Sequence, residues 1–169
     1  KYAIMAKGCK WIVKEASDPA KVERLATEVG IDKVLAELLV ARGVETFQQA
    51  MAFFRPKLED LHDPFLMKDM DAAVERLHRA VTNKEKILVY GDYDVDGTTA
   101  VALVYSFIKR FTDSVDFYIP DRYDEGYGVS FKSIDWAAEG SFSLIITLDC
   151  GIKAIDKVDY AASKGIEVI

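Results

Sequence analysis

The stretch KILVYGDYDVDGTTAVALVYSFIKRF, residues 86–111, determines how the chain folds. It opens with a short run of apolar and β-branched residues, 87–90, which is typical of a buried strand. From Ala100 onward the apolar residues repeat with a helical period and form one stripe: Val101, Val104, Tyr105 and Ile108. An acidic loop lies between the two. In an α/β sheet, a strand, a loop and a helix in this order place a ligand at the carboxyl end of the strand.

The loop carries three carboxylates at alternate positions, Asp92, Asp94 and Asp96, followed by Gly97. Like charges this close repel one another, and without a counter-charge they would destabilise the loop. A divalent cation removes the repulsion, because Mg²⁺ and Mn²⁺ bind preferentially to carboxylate oxygens. The sequence therefore predicts a metal site in this loop.

The same spacing resembles the first half of an EF-hand calcium loop, and the surrounding residues argue against that interpretation. An EF-hand loop requires a bidentate Glu at its twelfth position, which counted from Asp92 is Leu103. A strand also precedes the loop here, where an EF-hand has a helix. We therefore do not expect a calcium loop of this type.

A second alternative is a phosphatase. Residues 94–99, DVDGTT, resemble the nucleophile motif of haloacid-dehalogenase-type phosphatases. In that interpretation Asp94 attacks phosphorus and Asp96 is the general acid. The nucleophile of those enzymes follows its strand directly, whereas residues 91–93 intervene here. The phosphatase is therefore retained as the alternative function.

The rest of the C-terminal part alternates strands and helices. Its predicted strands are 115–120, 144–148 and 166–169, and its predicted helices are 130–140 and 154–164. Such alternation predicts an α/β fold with a parallel, doubly wound, Rossmann-like sheet and right-handed crossovers.

The N-terminal part is predicted to be helical. Helices are expected to begin at the capping residues Asp18, Asp32 and Thr46, and a further helix is expected over 69–83. The apolar segment 11–13 is predicted to be an edge strand or a tether.

The first helices either pack as a structural module or contact nucleic acid through their turns, and the scarcity of basic residues at the turns favours packing. The predicted domains are a helical module with its connector, 1–68, and an α/β domain, 69–169.

The composition limits the possible functions. The chain has 169 residues, of which 50% are hydrophobic, and a net charge of -6. This charge argues against a protein that coats nucleic acid by bulk electrostatics, and it remains compatible with an enzyme that acts on phosphate esters. No export signal or membrane span is visible, and Cys9 and Cys150 lack the spacing of a metal site. We expect free thiols, no membrane partner and a cytoplasmic location.

Asp149 directly follows the predicted strand 144–148. Because the carboxyl ends of parallel strands meet at one edge of a sheet, we expect Asp149 to approach Asp92 and Asp94. Hard oxygen ligands suit Mg²⁺ or Mn²⁺, and two such ions can polarise a phosphodiester and generate hydroxide. The alternative is that Asp149 caps the helix that follows.

Residues 121–130, DRYDEGYGVS, contain a single cation, Arg122. A planar guanidinium suits phosphate recognition, and Gly126 and Gly128 allow the backbone to approach a ligand closely. The alternative for the cation is a salt bridge to one of its acidic neighbours, Asp121, Asp124 or Glu125.

Three segments together, GDYDVDGTT (91–99), IPDRYDEGYGVS (119–130) and LIITLDCGI (144–152), resemble in order and spacing the DHH phosphoesterase superfamily in its RecJ form. KWIV, LLVARGVET and LEDLHDPFLMKDMDAAVERL resemble the N-terminal region of the same proteins. The resemblance implies a DHH domain and a metal-dependent exonuclease that degrades single-stranded DNA from 5′ to 3′ in DNA recombination and repair.

The resemblance also implies roles for the carboxylates. Asp92, Asp94 and Asp149 match the metal ligands of the family, which bind Mn²⁺ or Mg²⁺, with two ions in the complete site. Asp96 matches a further carboxylate, either a direct ligand or a neighbour of one. Asp94 and Asp96 are therefore the expected catalytic residues.

The same resemblance assigns the glycine-bearing loop to substrate binding, through Arg122, Gly126, Tyr127 and Gly128. One departure is Asp121, where the family often has Asn. The expected substrate is single-stranded DNA, and a single-strand-binding protein or a helicase is an expected partner.

The Asp-His-His motif of the family would follow a strand such as GIEVI, with which the chain ends. We therefore expect a fragment that holds part of the metal site and is inactive alone. Other expectations remain open, namely a DHH phosphodiesterase acting on short oligonucleotides and a non-catalytic interaction module.

Overall fold

The structure is a computed structural model that describes residues 15–169. The predicted edge strand or tether at 11–13 and Cys9 lie outside the described residues. The chain divides into two units, one extending to Asp63 and the other beginning at Pro64. The boundary expected from the sequence lies slightly later, between residues 68 and 69. Across residues 15–169, no helix has the length and apolar character needed to cross a membrane.

The first unit contains three helices, α1 (Pro19–Val29), α2 (Lys33–Val40) and α3 (Phe47–Phe54). Their starts are as predicted, because the side chains of Asp18, Asp32 and Thr46 each accept a backbone hydrogen bond from the first turn. The three helices bury one apolar cluster, which contains Leu25, Ala26, Ala36, Leu39, Val40, Val44 and Ala50.

The second unit is an α/β fold, as predicted. Short 3₁₀ turns at Leu58–Asp60 and Pro64–Leu66 precede its elements. In chain order these are α4 (Met70–Thr82), β1 (Ile87–Gly91), α5 (Val95–Ile108), β2 (Val115–Tyr118), α6 (Phe131–Glu139), β3 (Leu144–Leu148), α7 (Ile155–Ser163) and β4 (Glu167–Val168). All strand pairs are parallel, and the strand order is β2-β1-β3-β4.

The sheet is covered on both faces. All five residues of β1 are buried, and their side chains alternate between two cores. Ile87 packs with Val101 of α5 on one face, together with α4. Leu88 packs with Ile134 of α6 on the other face, together with α7. From β1 the chain continues to β2 on one side of it, and the next strand, β3, pairs with β1 on the other side. The point of reversal, at the carboxyl ends of β1 and β3, is where such sheets bind ligands.

The start of α5 differs from the prediction. The helix begins at Val95 rather than at Ala100, so Asp96 lies in its first turn and the acidic loop is shorter than expected. Two interactions explain the earlier start. The Asp94 side chain caps the helix by accepting from the backbone N–H of Gly97, and an acidic residue in the first turn is stabilised by the helix dipole.

Gly97 allows the first turn of α5 to pack directly on the end of β1. A Cβ atom at this position would lie 2.4 Å from the carbonyl oxygen of Asp92 and 2.7 Å from its nitrogen. These are backbone atoms, which cannot rotate away as a side chain could. Only glycine therefore fits between the helix and the strand.

Gly97→Ala should lower the free energy of unfolding of the second unit by about 3 kcal/mol, because the added methyl group overlaps backbone that must shift. Gly165→Ala is the matched control, since it has a φ of 77° and open space around the site. This variant should lower the free energy of unfolding by only about 1–2 kcal/mol, the cost of a left-handed backbone at a residue other than glycine. Urea unfolding of both variants measures the difference. An equal loss in the two variants would contradict the close contact at Gly97.

Candidate metal centre

Asp92 lies directly after β1, where its backbone N–H donates to the carbonyl oxygen of Leu148 at 3.4 Å and extends the pairing of β1 with β3. Its residue surface is 2% exposed. Its Oδ1 atom is buried and has no hydrogen-bond partner within residues 15–169. A buried carboxylate oxygen without a donor is costly, because desolvation is not compensated. A bound cation would compensate it.

Asp94 and Asp96 are exposed and lie at the start of α5. The Oδ1 atom of Asp94 accepts the hydrogen bond from Gly97 at 2.9 Å, which fixes the direction of the carboxylate. The charge of Asp96, in the first turn, is stabilised by the helix dipole. The fold thus compensates these two carboxylates partly by itself.

Asp149 follows β3 and is exposed. Its φ is 56°, in the left-handed region that residues other than glycine seldom adopt. The alternative, in which Asp149 caps the following helix, is wrong, because α7 begins only at Ile155 and its N-cap is Ala154. The carbonyl oxygen of Asp149 accepts from the Tyr127 hydroxyl at 3.3 Å. An unusual backbone at the reversal point of the sheet is consistent with a functional residue.

The carboxylates act electrostatically on the same neighbours. Burial raises the pKa of the Cys150 thiol to about 11, and the charges of Asp92 and Asp149 contribute to the rise. Partial desolvation is the main cause that raises the pKa of the Tyr127 hydroxyl. The charges of Asp149, Asp92 and Asp94 raise it further. The predicted ligands Asp92 and Asp149 therefore lie close enough to Tyr127 and Cys150 to act on both. Cys150 is a buried free thiol, as expected, and the expectation for Cys9 lies outside the described residues.

The oxygen donors at this edge are of the type that binds a divalent metal ion, although their side chains do not form a complete set of ligands. Within the described part of the chain, no three His, Cys, Asp or Glu side chains form a cluster that could hold a metal. Asp92 supplies a buried, unpartnered oxygen, and oxygen donors suit Mg²⁺ and Mn²⁺. The assignment of Asp92, Asp94 and Asp149 as ligands remains a prediction.

Among the described residues, Arg122 does not form the salt bridge that was the alternative to phosphate binding. Its guanidinium carbon lies 5.2 Å from the centre of the Tyr93 ring, a cation–π contact worth about 0.5–1 kcal/mol at an exposed site. The acidic neighbours bind other groups: Asp121 accepts from loop backbone, Asp124 lies 3.9 Å from a lysine, and Glu125 accepts from a tyrosine. Tyr93 lies between Asp92 and Asp94 in the sequence, so the contact joins Arg122 to the acidic loop.

Gly128 of the same loop lies against the ends of β1 and β3, whereas the space around Gly126 is open. Gly126 and Gly128 have φ values of 76° and 82°, and a Cβ atom on Gly128 would lie 3.0 Å from the carbonyl oxygen of Cys150. The fully buried Tyr90 donates from its hydroxyl to the carbonyl oxygen of Gly128 at 2.8 Å. A cleft of about 420 Å³ opens here, lined in part by Tyr127, Gly128, Val129, Cys150, Gly151 and Lys153.

Sequence reasoning missed Tyr90, Tyr93 and Glu125. A signal for Tyr90 existed, because the hydroxyl of a tyrosine in a buried strand needs a partner. No comparable signal existed for Tyr93 or Glu125, whose partners lie in other segments of the chain.

Comparison with known proteins identifies relatives. Residues 86–169 match the DHH family, N-terminal domain. The chain is 39% identical over 166 residues to the single-stranded-DNA-specific exonuclease RecJ of Bacillus subtilis (strain 168), which covers 98% of this chain and 21% of that protein. It is 33% identical over 137 residues to the exonuclease of the same name from Escherichia coli (strain K12), covering 80% and 23%. The chain spans about a fifth of the length of these curated relatives.

Solved structures give the same result. Exonuclease RecJ bound to manganese aligns with a TM-score of 0.56 and 32% identity, over 60% of this chain and 26% of that one. RecJ in complex with Mn²⁺ from Thermus thermophilus aligns with a TM-score of 0.64 and 22% identity, over 91% and 21%. At that identity the second structure supports the fold alone.

Replacement of Asp92 tests the cation site. Without divalent metal, Asp92→Asn should raise the free energy of unfolding by about 1–2 kcal/mol, because it removes a buried charge whose Oδ1 lacks a donor. Mn²⁺ should stabilise the wild type by mass action and leave the variant unchanged. Thermal unfolding with and without MnCl₂ measures both effects. Asp159→Asn, an exposed change on α7, should alter neither. An Asp92→Asn protein that Mn²⁺ still stabilises fully would exclude Asp92 as a ligand.

Proposed function

The chain belongs to the DHH family, and we propose that in the full-length protein it hydrolyses phosphodiester bonds of single-stranded DNA, removing nucleotides from the 5′ end. The observation that carries the proposal is the buried Asp92 carboxylate with its unpartnered Oδ1, at the reversal point of a parallel sheet. Relatives that match this chain are named as single-stranded-DNA-specific exonucleases. A role in DNA recombination and repair, a single-strand-binding protein or helicase as partner, and a cytoplasmic location belong to the same proposal.

Asp92, Asp94 and Asp149 would hold Mn²⁺ or Mg²⁺, with two ions in the complete site. When bound, the metal lowers the pKa of a water ligand to supply the nucleophile and neutralises charge on the phosphate. Asp94 presents its carboxylate in a direction fixed by the cap on α5. Asp96, in the first turn of the same helix, is a further ligand or a neighbour of one. Asp94 and Asp96 are the catalytic residues of the proposal.

The loop 121–130 would bind the substrate. Arg122 can donate two parallel hydrogen bonds to phosphate oxygens, and its contact with Tyr93 keeps it beside the carboxylates. Gly126 and Gly128 bring the backbone close to the ligand, since neither carries a side chain. Tyr127 is 62% exposed, and its ring is available to stack on a base.

The phosphatase alternative has lost its support. Asp94, the nucleophile in that interpretation, caps α5 through its side chain, and Asp92 rather than Asp94 directly follows the strand. The match to the DHH family covers the same residues. A phosphodiesterase specific for short oligonucleotides would share the metal site and differ in the length of strand that it accepts.

The activity test uses the full-length protein with Mn²⁺ and three substrates: a 5′-labelled single strand, its duplex and a phosphate monoester. Only the single strand should be degraded. Asp94→Ala should reduce the rate by at least ~100-fold, since even residues that only support a metal ligand cost 10–100-fold when replaced. Asp113→Ala, on the exposed turn after α5, is the control and should retain activity. Turnover of the monoester alone would contradict the proposal.

Arg122→Ala should raise the KM for single-stranded DNA by about 10–100-fold, because a hydrogen bond to a charged group is worth about 1.5–3 kcal/mol. Arg122→Lys should recover only part of the loss, since an ammonium group keeps the charge without the planar fork. Steady-state kinetics on a labelled single strand measure both. Lys132→Ala, a charge change at the start of α6, is the control. An unchanged KM in Arg122→Ala would exclude Arg122 from substrate binding.

A further inference from the structure

One carboxylate, that of Glu125, joins three segments around the loop 121–130. Its Oε1 atom accepts hydrogen bonds from the Tyr118 hydroxyl at 3.0 Å and from the backbone N–H of Asp121 at 2.9 Å. Its Oε2 atom accepts from the hydroxyl of Ser130. These donors belong to the end of β2, the start of the loop and the N-cap of α6. Both oxygens of Glu125 are therefore bound internally, and neither has to face a negatively charged substrate.

The donors to Glu125 are themselves held by the core. Ser130 caps α6 by accepting from the backbone N–H of Ser133 at 3.0 Å. The Tyr118 ring stacks on that of Tyr90, with centroids 5.6 Å apart and planes 7° apart. Burial and the hydrogen bond to Glu125 raise the pKa of Tyr118 to about 12, so its hydroxyl stays protonated as a donor at neutral pH. The carboxylate is thus bound to rigid groups.

The far end of the loop is fixed separately. The hydroxyl of Tyr90 donates to the carbonyl oxygen of Gly128, and a Cβ atom on Gly128 would make a tight contact of 3.0 Å with the carbonyl oxygen of Cys150. Tyr90 belongs to β1, two residues before Asp92. Only Gly126 and Tyr127 lie between the two fixed points at Glu125 and Gly128.

Arg122 depends on this frame for its position. It lies one residue after Asp121, whose N–H binds Glu125, and the backbone N–H of Glu125 donates to the Asp121 carbonyl oxygen at 2.9 Å to close the turn. The side chain of Arg122 contacts the Tyr93 ring, and within residues 15–169 no carboxylate holds it. Its placement against Tyr93 of the acidic loop therefore follows from where the Glu125 hydrogen bonds hold the backbone.

We propose that Glu125 is a positioning residue of the substrate loop, which holds Arg122 beside the carboxylate edge so that a substrate phosphate meets a preformed site. The inference rests on the proposed function and deepens it. Glu125 does not contact substrate or metal; it acts through Arg122. Loss of its hydrogen bonds should therefore weaken substrate binding and leave the metal site intact.

The experiment uses the full-length protein and two pairs of variants, Glu125→Ala with Asp113→Ala, and Glu125→Gln with Asp113→Asn. The members of each pair remove the same charge, and Asp113 is exposed and lies outside the loop. Glu125→Ala should raise the KM for a labelled single strand by about 10-fold or more, within the range found for supporting residues. The Mn²⁺ concentration for half-maximal activity should change less than about twofold, and the Asp113 variants should match the wild type in both measurements.

Glu125→Gln separates positioning from charge. Its amide oxygen still accepts from Tyr118 and from Asp121, whereas its NH₂ group replaces the acceptor for Ser130. Its KM should therefore lie between those of the wild type and Glu125→Ala. This variant also keeps the inference testable if Glu125→Ala fails to fold.

A double-mutant cycle tests whether the effect passes through Arg122. In an Arg122→Ala background, Glu125→Gln should raise the KM no further, because the residue that it positions is absent. Equal effects in both backgrounds, an unchanged KM in Glu125→Ala together with a lowered melting temperature, or a parallel loss of Mn²⁺ affinity would each overturn the proposal.

Binding of a labelled single strand to the metal-free protein, measured by fluorescence anisotropy, distinguishes failure of this inference from failure of the proposed function. A wild type that binds single strands without hydrolysing them when Mn²⁺ is added refutes the nuclease and still measures the Glu125 effect as a change in Kd. A wild type that neither binds nor hydrolyses them overturns both.

Discussion

The contact of Gly97 with the backbone of Asp92 is the constraint on which the rest of the second unit depends. It lets the first turn of α5 close over the end of β1, and this closure buries the Asp92 carboxylate. The backbone hydrogen bond from Asp92 to Leu148 extends the pairing of β1 with β3 to the same point. The predicted metal edge is therefore set by main-chain packing, which is harder to deform than side-chain packing because it has no rotamers to change.

This geometry gives three neighbouring carboxylates three different environments. The helix compensates Asp94 with a backbone hydrogen bond and Asp96 with its dipole, whereas Asp92 is buried with an oxygen that has no donor in the described chain. A fold that needed only stability would favour an apolar residue at such a position. A bound cation would compensate this carboxylate, and Asp149, exposed at the end of the neighbouring strand, is the predicted second oxygen donor.

Local patterns predicted most of the fold, and contacts between distant segments account for what they missed. The apolar run of β1 and the caps at Asp18 and Asp32 depend on nearby residues, and the structure agrees with them. The early start of α5 was missed because an Asp-x-Asp-Gly sequence has the pattern of a loop, and the capping bond of Asp94 is visible only in three dimensions. The Arg122 contact with Tyr93 was unpredictable for the same reason.

The loop 121–130 combines several acidic residues with one cation, Arg122. With a net charge of -6, the chain has no positive overall field, so attraction of an anion would have to come from local placement of charge. Glu125 directs both carboxylate oxygens to internal donors, and Asp121 accepts from its own loop backbone. These acidic groups thereby serve as structural acceptors, and Arg122, the cation of the loop, stays exposed on Tyr93. The carboxylates of Glu125 and Asp121 are thus engaged within the loop, and among the described residues they leave the guanidinium of Arg122 without a carboxylate partner.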